Sequence, residues 1–527
     1  MKPAIEVLEI PREELDALLE HARTALPEED YRRLKAVVEG LSYLTELIAD
    51  KDTTIRDLRQ LLFPLLTEKT REVLKRAGIE ETQKPAAASA VRDKQKKPGH
   101  GQNGADAYHG AQRILIPHPE LHPGDLCPAC AKGKIYVQQE PKRLVRISGQ
   151  APLTATVYEL ERLRCNLCGE VYTAQAPEDV GEEKYDETAA AMIAQMKYGS
   201  GVPFHRLERL EQNLGIPLPA ATQWEIVEEA AELIRPAYEE LIRQAAQGEV
   251  LHNDDTSMRV LHLAREPSDE RTGVFTSGVV SVADGRRIAL FFTGRQHAGE
   301  NLADVLKRRS AALPSPVQMC DALSRNTPKL AEGVEILLAN CLAHGRRQFV
   351  EVAANFPAEC RYVLEMLGEV YRNDAAAQEQ KMSPEGRLRF HQEHSRPIMD
   401  KLHSWMEARL AERKTEPNSG LGQAIQYMLR HWQPLTLFLR RAGAPLDNNL
   451  VERSLKKAIL HRKNALYYKT ENGARVGDLF MSLIHTCELN GVHSLDYLTE
   501  LQRHADELHR SPAAWMPWNY RSSIART

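Results

Sequence analysis

Three acidic residues, far apart in the chain, sit where carboxylates can work on a phosphodiester. They are Asp254 in Leu251-His252-Asn253-Asp254-Asp255-Thr256, Asp321 closing Val317-Gln318-Met319-Cys320-Asp321, and Glu452 in Asp447-Asn448-Asn449-Leu450-Val451-Glu452-Arg453. The first two close short apolar runs that read as strands. The third lies one turn into a segment that reads as a helix, behind an Asn pair suited to capping it. Carboxylates on strand ends and on a nearby helix can hold two divalent cations, Mg²⁺ or Mn²⁺, which activate a water and stabilise the leaving oxygen. Asp254 and Asp255 are successive on a strand, so their side chains point to opposite faces and only one can face a shared site.

Basic residues accompany these acids. Arg453, Lys456, Lys457, Arg462 and Lys463 follow Glu452 on the same helical segment, spaced to meet the phosphates that flank a scissile bond. Arg346 and Arg347, just after His344-Gly345, are further candidate phosphate contacts. Lys94, Lys96 and Lys97 stand in an apolar-free, Gly-rich stretch that could follow a DNA backbone. The net charge is −4, which excludes indiscriminate coating of a polyanion. Local balance differs: from Lys84 to Arg113 there are six Lys/Arg against two Asp, and from Glu452 to Arg475 seven against two Glu.

A second chemistry is written in cysteine. Cys127-Pro128-Ala129-Cys130 is followed after 34 residues by Cys165-Asn166-Leu167-Cys168. Each pair can present two thiolates to one tetrahedral Zn²⁺, and two pairs complete a closed structural site. Alternation at Lys134-Ile135-Tyr136-Val137 and Ala155-Thr156-Val157-Tyr158 predicts hairpin strands between them, hence a zinc ribbon. Cys320, Cys341, Cys360 and Cys487 lie singly in apolar settings and read as core residues.

The 527 residues are too many for one core. Residues 1–80 are expected to be helical and leucine-zipper-like. Within them Leu34, Val37, Leu41, Leu44, Ile48, Ile55, Leu58 and Leu62 form a heptad-like series interrupted at Lys51, suiting either a coiled coil or a surface helix. A basic flexible linker over 81–113 precedes the ribbon, 114–180. Residues 181–247 read as helical, with Phe204–Asn213 and Ala220–Ala231 spaced as a helix-turn-helix or as a plain connector. Residues 248–345 predict a mixed sheet: strands at 250–252, 274–282 and 288–293, a helix at 299–309, a strand ending at Asp321, and the apolar run 335–341. A helical insertion, 346–445, is broken at Pro384, Pro397 and 417–422. The core then resumes over 446–490 with the Glu452 helix, and 491–527 forms a tail docked through Trp515-Met516-Pro517-Trp518. No run of eighteen apolar residues exists and Met1-Lys2-Pro3-Ala4-Ile5-Glu6 does not open a signal peptide, so a cytoplasmic protein without a membrane partner is expected.

These motifs in this order resemble the insertion sequence 66 family of bacterial transposases, whose Asp-Asp-Glu triad stands on a ribonuclease H-like core. The likeness runs through Pro98-Gly99-His100-Gly101-Gln102-Asn103-Gly104, the four cysteines, Asp254-Asp255-Thr256 and Cys341-Leu342-Ala343-His344-Gly345-Arg346-Arg347. It continues through Asp447 to Arg453, Arg462-Lys463-Asn464 and Trp515-Met516-Pro517-Trp518-Asn519. The resemblance implies that Asp254, Asp321 and Glu452 are the catalytic carboxylates and hold Mg²⁺ or Mn²⁺, and that Cys127, Cys130, Cys165 and Cys168 hold one structural Zn²⁺. It implies as partners double-stranded DNA (terminal inverted repeats and target), a second copy of the chain in a dimer or larger assembly, and accessory proteins of the same element. The reaction implied is cleavage at 3′ ends followed by strand transfer. Two other readings are a non-catalytic DNA-binding regulator derived from such a protein, and a ribonuclease H-like nuclease without strand joining.

Overall fold

The computed structural model describes residues 113–138, 144, 151–164, 166, 168, 171–177, 183–264, 271–330 and 333–525, together with Tyr31 and Asp106. The heptad-like series, the segment with Lys94, Lys96 and Lys97, and Cys165 lie outside the described residues. The elements that follow belong to the compact unit from Thr82 onward.

A short antiparallel hairpin comes first, β1 (Arg162–Arg164) and β2 (Val171–Thr173), with Arg164 opposite Val171. The expected strands at 134–137 and 155–158 are not formed. Lys134 makes only an isolated bridge to Leu126, and the pairing falls on the residues that bracket the second cysteine pair. Ile135 instead closes the loop around the first cysteine pair, its N–H donating to Asp125 O and its carbonyl accepting from Gly124 N, each at 2.8 Å.

Helices α1 (Glu187–Ala194), α2 (Phe204–Asn213) and α3 (Ala220–Ala245) lead into the core. The helix-turn-helix spacing is therefore occupied by helices. The second, however, runs on through Pro236 and buries Val227, Ala230, Ala231, Ile234, Ala237 and Leu241, as a helix packed on a sheet does.

Among the described residues the central sheet has five strands in the order β6-β5-β3-β7-β8. They are β3 (Val250–Ser257), β5 (Phe275–Ala283), β6 (Arg286–Gly294), β7 (Val317–Cys320) and β8 (Leu337–Asn340), with β4 (Val260–His262) outside the sheet. β3 pairs antiparallel with β5 and parallel with β7, so it is central and its first four residues are buried. The crossover from β6 to β7 is α4 (Ala298–Leu306), and α5 (Leu342–Val352) follows β8.

Helices α6 (Pro357–Glu379), α7 (Pro384–His394), α8 (Arg396–Ala411), α9 (Gly420–Arg430) and α10 (Trp432–Leu435) come next. Pro384 and Pro397 fall at helix starts, where a missing N–H costs nothing. Asp374 ties this block together, accepting from Arg387 Nε at 2.9 Å and from Gln378 Nε2 at 2.6 Å, with His391 Nε2 3.1 Å away.

The chain then returns to the sheet as α11 (Asn449–Ala465), β9 (Tyr468–Thr470), which pairs with β4, and α12 (Glu471–Leu489). Three residues of α12 and its C-cap Asn490, spaced by four, cover the open edge of β6. Thr293 N donates to Asp478 Oδ2 at 2.6 Å, Phe291 N to Ser482 Oγ at 2.9 Å, Ala289 N to Thr486 Oγ1 at 3.1 Å and Arg287 N to Asn490 Oδ1 at 3.2 Å. Four helical residues rise about 6 Å and two strand residues about 6.7 Å, so the two repeats stay in step along the edge. Strand edges left open invite pairing with other chains; a helix closes this one. The chain ends with α13 (Ser494–Arg503), α14 (Ala505–Arg510) and α15 (Tyr520–Ile524). Trp515, Met516 and Tyr520 are buried in the main core, and Tyr497 Oη donates to Trp515 O at 2.8 Å, so the tail docks as expected.

Candidate active site

The parallel pairing of β3 and β7 sets Leu251 opposite Gln318 and His252 opposite Met319. Continued by two residues, that offset puts Asp254 opposite Asp321, at the same end of two adjacent central strands. The turn at Ser324–Asn326 then aims a buried amide between them: Asn326 Nδ2 donates to Asp321 Oδ1 at 2.6 Å and to Asp254 Oδ1 at 3.2 Å. Asn326 is itself held, its carbonyl accepting from Asn253 Nδ2 and Gln318 Nε2, each at 2.7 Å. Asp255 N adds a 2.8 Å hydrogen bond to Asp254 Oδ1, and Leu323 N one of 3.1 Å to Asp321 Oδ1. Asp255 faces elsewhere, as strand alternation requires, with Oδ2 2.8 Å from His297 Nδ1 and Oδ1 3.5 Å from Arg325.

Glu452 reaches the same region on α11. Asn448, before that helix, makes no side-chain cap. It fastens the helix to the acid-bearing strand instead. Its Nδ2 donates to Asn253 O at 3.1 Å, and its Oδ1 lies 3.1 Å from His252 Nδ1. Burial pulls His252 down to about 4, so the ring is neutral and donates from Nδ1. The capping expected of the Asn pair is thus replaced by a strand-to-helix link, while Asn449 turns to Asp447. Further along, Arg462 Nη1 reaches Thr256 Oγ1 at 3.1 Å and Ser257 Oγ at 2.6 Å, tying the helix to the end of β3. Between these two links α11 crosses β5 at Gly278, the residue paired with Asp254. A Cβ there would sit 3.0 Å from Leu455 Cδ2 and 3.2 Å from Val451 Cγ2.

The electrostatics follow from this packing. Burial, then the charge of Asp321, with smaller contributions from Asp255 and Glu452, lifts Asp254 from 3.8 to about 7. Carboxylates repel when brought together out of water without a cation between them. Glu452 Oε1 is buried with no hydrogen-bond partner, an acceptor left open. The donor set is all carboxylate oxygen, which suits hard divalent cations such as Mg²⁺ and Mn²⁺.

The expected basic residues divide by environment. Arg453 and Lys456 are exposed on α11, and Lys463 is exposed at its last turn. Lys457 pairs with Glu488 at 2.8 Å, and Arg462 serves the helix-to-strand link above. Arg346 is buried and Arg347 half-buried on α5. Among the cysteines, Cys127 and Cys130 share one turn, closed by Cys127 N donating to Gly133 O at 2.7 Å and by Gly133 N reaching Cys130 Sγ at 3.5 Å. Backbone donors, those of Gly133 first, hold Cys130 below the usual thiol range, which favours the thiolate a metal needs. Cys168 is exposed near the tip of the β1–β2 hairpin. Cys320, Cys341, Cys360 and Cys487 are buried as expected, but Cys341 is more than filler, since His344 and Glu452 adjoin it. Asn326 and Asn448 were not singled out from the sequence for these roles. No local signal marks either, since Asn326 stands between Arg325 and Thr327 and Asn448 between Asp447 and Asn449.

Among the described residues no helix is long and apolar enough to cross a membrane. Two uncharacterized proteins of Sinorhizobium fredii (strain NBRC 101917 / NGR234) are similar to the chain. One, y4jD, is 27% identical over 382 residues, 68% of this chain and 71% of that protein. The other, y4hP, is 23% identical over 511 residues, 90% and 89% of the two. The family model described as Transposase IS66 family matches residues 183–476, which span the sheet, the helices that follow it and the Glu452 helix. That match covers more than half of the chain, which belongs to the IS66 transposase family.

Proposed function

We propose that Asp254, Asp321 and Glu452 are the catalytic carboxylates of a DNA transposase that cleaves the 3′ ends of its element and joins them to a target. The observation that carries this reading is the Asn326 amide shared by Asp254 and Asp321, with the negative charge of Glu452 felt at Asp254. Clustering carboxylates against a polyanion is costly unless cations are to be held there, so a purely DNA-binding regulator has no use for the arrangement. The strand order, three antiparallel strands extended by two parallel ones with a helix returning over the central strand, supports a ribonuclease H-like core.

Asp254, Asp321 and Glu452 would hold the cations. Bound divalent ions would supply charge to activate a water and to stabilise the leaving oxygen. The protein's own part is positioning. Asn326 fixes the two aspartates relative to each other, Asn448 and Arg462 fix α11 to β3, and exposed Arg453, Lys456 and Lys463 contact phosphates beside the scissile bond. In the first displacement water attacks phosphorus and the 3′ oxygen leaves. In the second, that freed 3′ hydroxyl attacks a target phosphodiester and a target 3′ oxygen leaves, with no covalent bond to the protein.

Cys127, Cys130, Cys165 and Cys168 would hold one structural Zn²⁺ in a zinc ribbon over 114–180. The ribbon and the basic segment with Lys94, Lys96 and Lys97 would serve recognition of the terminal inverted repeats. The N-terminal heptads would pair protomers, and the protein would act in the cytoplasm. Asp254→Asn and Glu452→Gln are each expected to abolish Mn²⁺-dependent nicking of DNA carrying the element's ends while retaining DNA binding. Full nicking by either variant overturns the assignment. Nicking by the parent without joining of pre-cut ends would instead favour a plain nuclease.

A further inference from the structure

Beside the hard-donor site lies a softer one. Cys341 precedes α5, His344 is in the first turn of that helix, and Glu452 comes from α11. One ligand atom from each residue lies within 4.8 Å of the other two. His344 Nδ1 and Glu452 Oε1 are 3.9 Å apart, and both atoms are buried without a hydrogen-bond partner. Buried polar atoms are nearly always satisfied, so two orphans facing each other point to something that belongs between them. The Cys341 sulfur is already oriented, accepting from Asn448 N at 3.2 Å. The nitrogen, sulfur and oxygen atoms around a tetrahedral Zn²⁺ stand roughly 3.3–3.6 Å apart for ordinary metal–ligand lengths, so closure by about 1 Å would complete three corners.

We infer that Cys341, His344 and Glu452 form a binding site for a borderline-soft divalent ion, Zn²⁺ or Co²⁺, distinct in ligand chemistry from the all-oxygen set. Thiolate and imidazole select such ions over Mg²⁺ and Mn²⁺. Capture replaces the thiol proton of Cys341 by the metal and releases one proton to solvent; no redox change occurs. The fourth position is left to water. Because Glu452 belongs to both sets, an ion held here withdraws it from Asp254 and Asp321. Zn²⁺ is thereby an inhibitor of the Mg²⁺- or Mn²⁺-dependent reaction. This last consequence rests on the catalytic role proposed for Glu452; the binding site itself does not.

The test loads the full chain with Zn²⁺ to fill the tighter four-cysteine site and then titrates Co²⁺, following the near-ultraviolet sulfur-to-cobalt band. The parent is expected to take up one ion more than Cys341→Ser and than His344→Ala, and the extra band should vanish in Cys341→Ser. Equal uptake and identical spectra in parent and Cys341→Ser overturn the site. In cleavage assays, the ratio of Mn²⁺-dependent rates with and without micromolar Zn²⁺ should fall well below one for the parent and return toward one in Cys341→Ser. An unchanged ratio alongside a positive cobalt titration would refute the inhibitory link and leave the site standing.

Discussion

Gly278 offers a way to move the Glu452 helix without touching a carboxylate. It pairs with Asp254 across the sheet, and α11 lies directly on it. Its φ is not in the left-handed region, so what the position needs is space. In Gly278→Ala the new Cβ stands 3.0 Å from Leu455 Cδ2, 3.1 Å from Leu455 Cγ and 3.2 Å from Val451 Cγ2. Carbon atoms rest at about 3.5–4.0 Å, so α11 must withdraw by about 0.5 Å or Leu455 must leave its rotamer. Overpacking of this kind costs about 1–3 kcal/mol. Loss of glycine's unfolded-state freedom returns about 0.4–1 kcal/mol. The net change is then a destabilisation of about 0–2.6 kcal/mol, small enough for the protein to remain folded. The effect on function should be larger in proportion. A misplacement of ~1 Å costs roughly 100-fold in rate, so half that displacement of Glu452 should cost on the order of tenfold, and Gly278→Val more. Mn²⁺ affinity by calorimetry, thermal midpoint and nicking rate should be measured together on both variants. If both bind Mn²⁺ as the parent does and melt higher, close approach at Gly278 does not set the position of Glu452.

Three other substitutions carry expected outcomes. In metal-free buffer Asp254→Asn should be more stable than the parent at pH 8, because a carboxyl lifted to about 7 loses stability as pH rises from its ordinary 3.8 toward that value. The same variant should lose the rise in thermal midpoint that Mn²⁺ gives the parent; a parent-like rise would count against metal binding at Asp254. Asp478, buried against β6 and likewise lifted to about 7, should make stability fall by on the order of 4 kcal/mol between about pH 4 and pH 7, with little change above. Asp478→Asn, which can still accept from Thr293 N and donate to Thr293 Oγ1, should flatten that slope, and parallel pH profiles of midpoint would refute the account. Cys127→Ser should lower bound zinc by one ion per chain in elemental analysis, and unchanged zinc content would remove the proposed ribbon.

Much of the core was legible because its strands obey simple rules. Val274–Val282 is rich in β-branched residues and Ile288–Thr293 is an apolar run, each bounded by turn residues, and the strands observed start and stop within two residues of them. Proline punctuation located α7 and α8 for the same reason, since a proline fixes where a helix can start. The acids were legible by setting, but not by contact. Nothing local tells Asn326 to bridge Asp254 and Asp321, because that role depends on a turn that brings it back from five residues beyond Asp321 and on the register of another strand. The cap expected of Asn448 is absent for a related reason. Its type favours a helix cap, yet His252 and Asn253 offer partners 196 and 195 residues away. Expected strands at 134–137 and 155–158 are absent because alternation names no partner strand, and Ile135 spends its backbone groups on the loop residues Gly124 and Asp125.

The side-chain ladder from α12 onto β6 also bears on the order of events at the ribosome. All five strands have been synthesised by residue 340, whereas the helix that shuts the outer margin of the sheet begins at Glu471. For the time needed to translate about 130 residues, on the order of 10 s, a nascent chain carries an unsealed β margin able to recruit its siblings on the same message. A product truncated upstream of Glu471 keeps that hazard permanently, so damaged copies of the gene should yield insoluble polypeptide instead of quiet fragments.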